Sequence, residues 1–205
     1  KDSTREINTR MLTNYLKRGY PENITSRAMT VRAINACNRW GYKNKLIPDY
    51  AVISGGNQYN RRTRVFSDEE LKMMFQHITP SDFNRFVKFA YYTGARLGEI
   101  KAIKPEYINE NSILIDGKTG ERLLKLTQQA KDVLGAYKPW NYSTDYIEKR
   151  FRVNLNKLDI KGARFHDLRR TFGYNLIRQG RPIYEVSKLL GHSSVTTTER
   201  HYAPL

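Results

Sequence analysis

Apolar residues recur at helical spacing along most of the chain. In residues 4–18 they fall at Ile7, Met11, Leu12, Tyr15 and Leu16, the one-sided stripe of an amphipathic helix, which Gly19 and Pro21 end. Thr25 or Ser26 can cap a second helix to about Gly41, with Met29, Ala33, Ala36, Cys37 and Trp40 as its expected inward face. Ser67-Asp68-Glu69-Glu70 reads as a capping box and opens a helix that turns Leu71, Met74, Phe75 and Ile78 inward. Pro80-Ser81 starts another, with Phe83, Phe86, Val87 and Ala90 inward and Gly94 as its end; a short helix, Leu97 to Ile103, precedes Pro105. The period then drops to two. Ser112–Asp116 and Arg122–Leu126 flank Gly117-Lys118-Thr119-Gly120, which predicts a β-hairpin with Lys118 at its tip. Helices return at about 128–138, 144–158, 166–179 and 182–190, the last two closed by Gly180 and Gly191, and Thr196–Tyr202 makes a final short one. The predicted fold class is mainly α with a small antiparallel β-sheet.

Composition divides this pattern into domains. Residues 53–65, ISGGNQYNRRTRV, combine turn residues and three arginines with no periodicity, which predicts an interdomain linker. Two helices are too few for an independent core, so residues 1–52 read as part of a helical domain, and residues 66–205 as a second, larger one. The chain has 205 residues and opens on Lys1 rather than Met, the expectation for a piece of a longer protein.

Charge points to the partner. The formal net charge is +16. Residues 1–65 alone hold 13 Lys and Arg against 4 Asp and Glu, so the N-terminal third is the denser basic surface. Such an excess predicts nucleic acid as the partner, with Arg27, Arg32, Arg39, Lys43, Lys45, Arg61, Arg62 and Arg64 as candidate DNA contacts. The single cysteine, Cys37, excludes an intrachain disulfide and a Cys-rich zinc site; on its helix it reads as a small buried residue. No apolar run approaches the roughly 18 residues of a membrane span, and no apolar h-region opens the chain. These features predict an intracellular, soluble protein with no membrane partner.

Candidate chemistry gathers in the last forty residues, FHDLRRTFGYNLIRQGRPIYEVSKLLGHSSVTTTERHYAPL. His166 and Arg169 are three apart on one helix and share a face. His192 follows a Leu-Leu-Gly break, and Tyr202 lies ten residues beyond it. Taken singly, each candidate has a plain structural reading. Arg96 can pair with Glu99 or Glu106, Lys118 can be a solvated turn lysine, His166 can sit at a helix start, and His192 can cap one. If Arg96 and Lys118 converge with the C-terminal set, the site holds two guanidiniums, an amine, two imidazoles and a phenol. Such a pocket suits an anionic phosphate beside a tyrosine. Two guanidinium forks can clamp the nonbridging oxygens of a phosphodiester, which assigns Arg96 and Arg169 to stabilisation of the transition state.

The order TGARLGE, a hairpin lysine, HDLRRT, LLGHSS and TTTERHY resembles the tyrosine recombinase (phage integrase) family over roughly residues 66–205, and segment 1–52 is similar to that family's helical core-binding domain. Many members place the nucleophile nine residues after the LGH histidine, where this chain has His201; here the tyrosine is at ten. The resemblance implies a DNA strand-exchange enzyme in which Tyr202 forms a 3′-phosphotyrosine, Lys118 protonates the departing 5′-oxygen, His166 assists proton transfer and His192 donates a hydrogen bond to the phosphate. It implies no cofactor and no metal ligand, double-stranded DNA as partner, and a tetramer on paired sites. An integrase of a mobile element is the leading expectation. A housekeeping resolvase of replicon dimers and a catalytically inactive DNA-binding relative are the alternatives, and a type IB topoisomerase fits the chemistry but not the motif spacing.

Overall fold

Asn35 decides which side of the N-terminal helix is buried. In the computed structural model of the chain, which describes residues 6–7, 10–11, 14, 24–57, 62–117, 120–135 and 140–203, helix α1 spans Ile24–Lys43. The Asn35 amide donates to the Ile53 carbonyl and accepts from the Ile53 N–H, both at 2.9 Å, and the Arg32 guanidinium donates to the Gly56 carbonyl. Segment 53–56 is thereby tied to the side of α1 that carries Ala28 and Val31, both buried. The expected inward face is on the other side. Met29 is 59% and Trp40 60% exposed, and Ala33, Ala36 and Cys37 are exposed as well, so Cys37 is not a core residue. Hydropathy favoured the larger apolar residues. Pairing of the Ile53 backbone with Asn35 holds the segment on this side instead, and exposed apolar surface is common. Of the helix expected over residues 4–18, the described residues Glu6, Ile7, Arg10, Met11 and Asn14 are helical, with Ile7 and Met11 exposed; the rest lies outside the described residues.

The chain divides into two units with the boundary between Arg62 and Thr63. In the second unit, α2 (Asp68–His77) starts on the predicted capping box: Ser67 Oγ accepts from the Glu70 N–H at 3.1 Å, and the Glu70 carboxylate accepts from the Ser67 N–H at 2.9 Å. Helix α3 (Ser81–Thr93) is the central element. Phe83, Phe86, Val87 and Phe89 are fully buried on it, and α5 (Gln128–Leu134) and α7 (His166–Arg178) pack against it. It ends at Gly94 with φ +59°, and a Cβ there would lie 2.3 Å from the Phe172 ring of α7, so the left-handed backbone and the close approach both require glycine. A short helix, α4 (Leu97–Lys101), and a 3₁₀ turn (Pro105–Tyr107) lead to the hairpin.

Strands β1 (Ser112–Gly117) and β2 (Gly120–Lys125) pair antiparallel, Ile113 opposite Leu124 and Ile115 opposite Arg122. Opposed residues share a face. Ile113, Ile115 and Leu124 are buried, so Arg122 is carried to the inner side with them, while Leu123 is 61% exposed. Helix α6 (Thr144–Lys157) is capped by Ser143, α8 (Ile183–Leu190) is closed by Gly191 at φ +63°, and α9 (Val195–Tyr202) is capped by Ser194. One apolar cluster joins α2, α3, the hairpin, α5, α6 and the start of α7. A smaller one, Val186, Leu190 and Tyr202 with Phe172 and Ile177, joins α7, α8 and α9. Among the described residues no helix is long and apolar enough to cross a membrane.

Candidate active site

The C-terminal end of α8 collects the site. A helix ends in carbonyls with no intrahelical partner, and its dipole places partial negative charge there. Three successive carbonyls at this end each accept from a different arginine: Leu189 from Arg122 Nη1 at 3.0 Å, Leu190 from Arg169 Nη2, and Gly191 from Arg96 Nη2 at 2.7 Å. The three arginines come from β2, from α7 and from the loop before α4, so one helix end sets the spacing of side chains far apart in sequence.

Arg169 is only 5% exposed, and its second contact is Nη1 to the Gly94 carbonyl at 2.7 Å, at the left-handed end of α3. Burial, and then the like charge of Arg96, pulls its guanidinium down to about 10, still charged at neutral pH. Arg96 is half-buried. It caps α4, its Nη1 donates to Glu99 Oε1 at 2.8 Å, and the Glu99 carboxylate is buried and shared with Arg122. Three guanidiniums face one carboxylate, which leaves an excess of two positive charges in this cluster.

The histidines flank this cluster. His192 directly follows Gly191, and its Nδ1 is 2.7 Å from Thr198 Oγ1 on α9; burial, then the charges of Arg169 and Arg96, push it down to about 4. His166 opens α7 and borders, with Arg169, a small cleft whose other walls include Ala95, Leu97 and Leu168. Its pKa is lowered by removal from water and then by Arg169 and Arg170, with Asp167 opposing. Asp167 itself accepts from the Arg164 N–H at 2.8 Å and from Arg170 Nη1 at 3.0 Å, which fixes the first turn of α7.

Both imidazoles hold a proton less tightly folded than unfolded. As pH falls from the ordinary histidine value of 6.5 towards about 4, the unfolded chain takes up protons that the folded chain refuses, so stability declines through that window. We expect the unfolding midpoint to drop between pH 7 and pH 4.5, and His192→Asn to flatten the drop. Calorimetry across that range checks it, and an unchanged slope in the variant would assign the acid sensitivity elsewhere.

Tyr202 is 8% exposed, its ring in the small cluster of α7, α8 and α9. Its hydroxyl lies against the Cα of Gly173, where a Cβ would be 2.2 Å away. Gly173 is four residues after Arg169, one turn along the same face of α7. Burial pushes the phenol up to about 12, against the charges of Arg169 and Arg170. His201 is exposed beside it, its ring centroid 6.3 Å from that of His192. Of the predicted set, Arg96, His166, Arg169, His192 and Tyr202 gather here; Lys118 lies outside the described residues. Arg122 and Thr198 were not anticipated. Alternation in the hairpin carried the signal for Arg122, which is two residues before Leu124 and therefore on its face. No local pattern pointed to Thr198.

Among the candidate DNA contacts, Arg27, Arg32, Arg39, Lys43 and Lys45 are exposed and Arg62 is half-buried. Arg64 is engaged within its own unit, with Glu70, the Val65 carbonyl and the Phe66 ring, and Arg61 lies outside the described residues. Among the described residues no group of three His, Cys, Asp or Glu could hold a metal ion.

The fold, a mainly helical domain with one hairpin, is that of the tyrosine recombinase catalytic domain. It is similar to a lambda integrase dimer bound to a COC′ core site, with TM-score 0.75 at 18% identity over 98% of this chain and 64% of that one, and to XerA recombinase, with TM-score 0.61 at 23% identity over 95% and 77%. In sequence it is 24% identical over 238 residues to tyrosine recombinase XerC of Bacillus pumilus, covering 97% of this chain and 77% of that protein. Residues 64–205 match the phage integrase family, and the chain belongs to that family of DNA breaking-and-rejoining enzymes. It spans 64% of the length of the lambda integrase chain.

Proposed function

We propose that this chain is a site-specific DNA recombinase that cleaves and rejoins strands through a 3′-phosphotyrosine, and that it integrates or excises a mobile element. The observation that carries this reading is the convergence of Arg96 and Arg169 on adjacent carbonyls at the end of α8, with His192 next in the chain and Tyr202 one turn of α7 from Arg169. Each guanidinium directs N–H groups to protein oxygens and has others for the nonbridging oxygens of a phosphodiester. The Tyr202 oxygen attacks phosphorus as its proton passes to neutral His166, the bond to the 5′-oxygen breaks, and that oxygen takes a proton from Lys118. His166 assists proton transfer, and neutral His192 donates a hydrogen bond to the phosphate. The phosphotyrosine conserves the ester, so the 5′-hydroxyl of another strand reverses the step. A phenol pushed up to about 12 needs the arginine charges and a proton acceptor to react at neutral pH.

The N-terminal region (1–52), with linker 53–65, contributes the basic duplex-binding surface through Arg27, Arg32, Arg39, Lys43 and Lys45, its affinity falling steeply with salt. Four strand cleavages with one Tyr202 per subunit make a tetramer on paired sites the working unit, in the cytoplasm of a prokaryotic host. The likeness to XerC supports a second reading, a resolvase of replicon dimers by the same chemistry.

The test is a nicked suicide duplex carrying the element's end sequence, which should trap a denaturant-stable protein–DNA adduct; no adduct would refute the reading. For Lys118→Ala we expect slow cleavage of the normal substrate and near-normal cleavage of a 5′-bridging phosphorothiolate, whose thiolate leaves without a proton. Equal slowing of both would remove Lys118 from the general-acid role.

A further inference from the structure

Arg122 is the guanidinium at this site that the recombinase motifs do not include. It is directed inward from β2, its side chain 15% exposed. Its Nη2 donates to Glu99 Oε2 at 2.9 Å and its Nε more loosely to Oε1 at 3.4 Å, while Nη1 donates to the Leu189 carbonyl at 3.0 Å. Arg96 uses the same carboxylate, Nη1 on Oε1 at 2.8 Å and its backbone N–H on Oε2 at 2.7 Å. The Glu99 side chain is 2% exposed, so water does little to screen it. Its carboxyl is held below the usual range: burial opposes ionisation, and the hydrogen bond from Arg122 does most to overcome it, ahead of those from Arg96. One carboxylate can cancel one guanidinium. With Arg122 present its charge is divided; without Arg122 it would fall wholly on Arg96.

The same side chain touches the turn that carries His192. A Cβ on Gly191, where φ is +63°, would lie 2.5 Å from Arg122 Nε, so the backbone of this turn rests directly on the guanidinium. Resting on the recombinase reading above, we infer that Arg122 is a positioning residue for strand cleavage: it shares Glu99 so that Arg96 meets the phosphate with its charge only partly cancelled, and it holds the end of α8 so that His192 is in place.

Single-turnover adduct formation on the nicked suicide duplex tests this, with DNA affinity measured in parallel. Arg122→Gln keeps a donor for the Leu189 carbonyl and removes the charge. It should cleave on the order of 10²-fold more slowly, the scale expected when reacting groups are misplaced by about an ångström, at unchanged affinity. Adding Glu99→Gln should recover roughly tenfold, because the uncompensated carboxylate on Arg96 is gone. A merely structural ion pair would also regain stability when its partner is removed, so thermal unfolding of the single and double variants is measured alongside, and cleavage that recovers only in step with stability overturns the inference, as do a double variant as slow as the single one and Arg122→Gln at the wild-type rate. Arg122→Lys can hold Glu99 or the Leu189 carbonyl but not both, and should be about tenfold slow. It decides the matter if the glutamine chain does not fold, and a wild-type rate there overturns the bridge. A wild-type chain that forms no adduct overturns the recombinase reading and this inference with it, whereas an active wild type with an unaffected Arg122→Gln overturns this inference alone.

Discussion

Replacing Tyr202 by phenylalanine should abolish the covalent adduct with the nicked duplex while leaving DNA affinity and folding intact. The ring is a packing element, set among Val186, Leu190 and Phe172, and phenylalanine preserves it. Only the oxygen against Gly173 is lost, so stability should change by less than about 1.5 kcal/mol. This separation matters, because Tyr202 is both a core residue and the proposed nucleophile, and a larger truncation would confound the two. Thermal unfolding, a binding isotherm and an adduct gel on the same preparation check the three expectations. An adduct from the phenylalanine chain would mean that another residue attacks, and peptide mapping of the DNA-linked fragment would identify it.

Arg169→Ala should be the most damaging arginine substitution, in rate and in stability together. The side chain is 5% exposed and satisfies the carbonyls of Gly94 and Leu190, which close α3 and α8. Truncation leaves both carbonyls without that donor at about 1–3 kcal/mol each, and removes a proposed transition-state donor at about 10²- to 10³-fold in cleavage. Arg169→Lys separates the effects. An ammonium can reach one carbonyl and restore part of the stability, but it cannot present a planar fork to a phosphate, so cleavage should stay on the order of 10²-fold down. Chemical denaturation and single-turnover cleavage of both variants give the two numbers. A lysine chain that cleaves at the wild-type rate would show that point charge suffices and that the fork geometry is not used.

The sequence by itself determined the order and type of the described elements and named most of the residues that gather at the candidate site. The capping box at Ser67, the glycine stops at Gly94 and Gly191, and the alternation around the hairpin are local signals, each set by backbone geometry within a few residues, and the structure follows them. Arg96, His166, Arg169, His192 and Tyr202 could be named because their spacing repeats a known motif order. Tertiary structure decided what depends on partners distant in the chain. It turned α1 so that Met29 and Trp40 face outward, because Asn35 pairs with the backbone of Ile53, a demand that hydropathy does not register. It converted Arg96–Glu99 from a plausible surface pair into a buried carboxylate shared with Arg122, because the hairpin register places residue 122 on the inner face. It also drew three arginines from separate elements to adjacent carbonyls at the end of α8. A helix terminus attracts cations through unpaired carbonyls and its dipole, but which cations reach it depends on how the other elements pack, and no window of sequence contains that information.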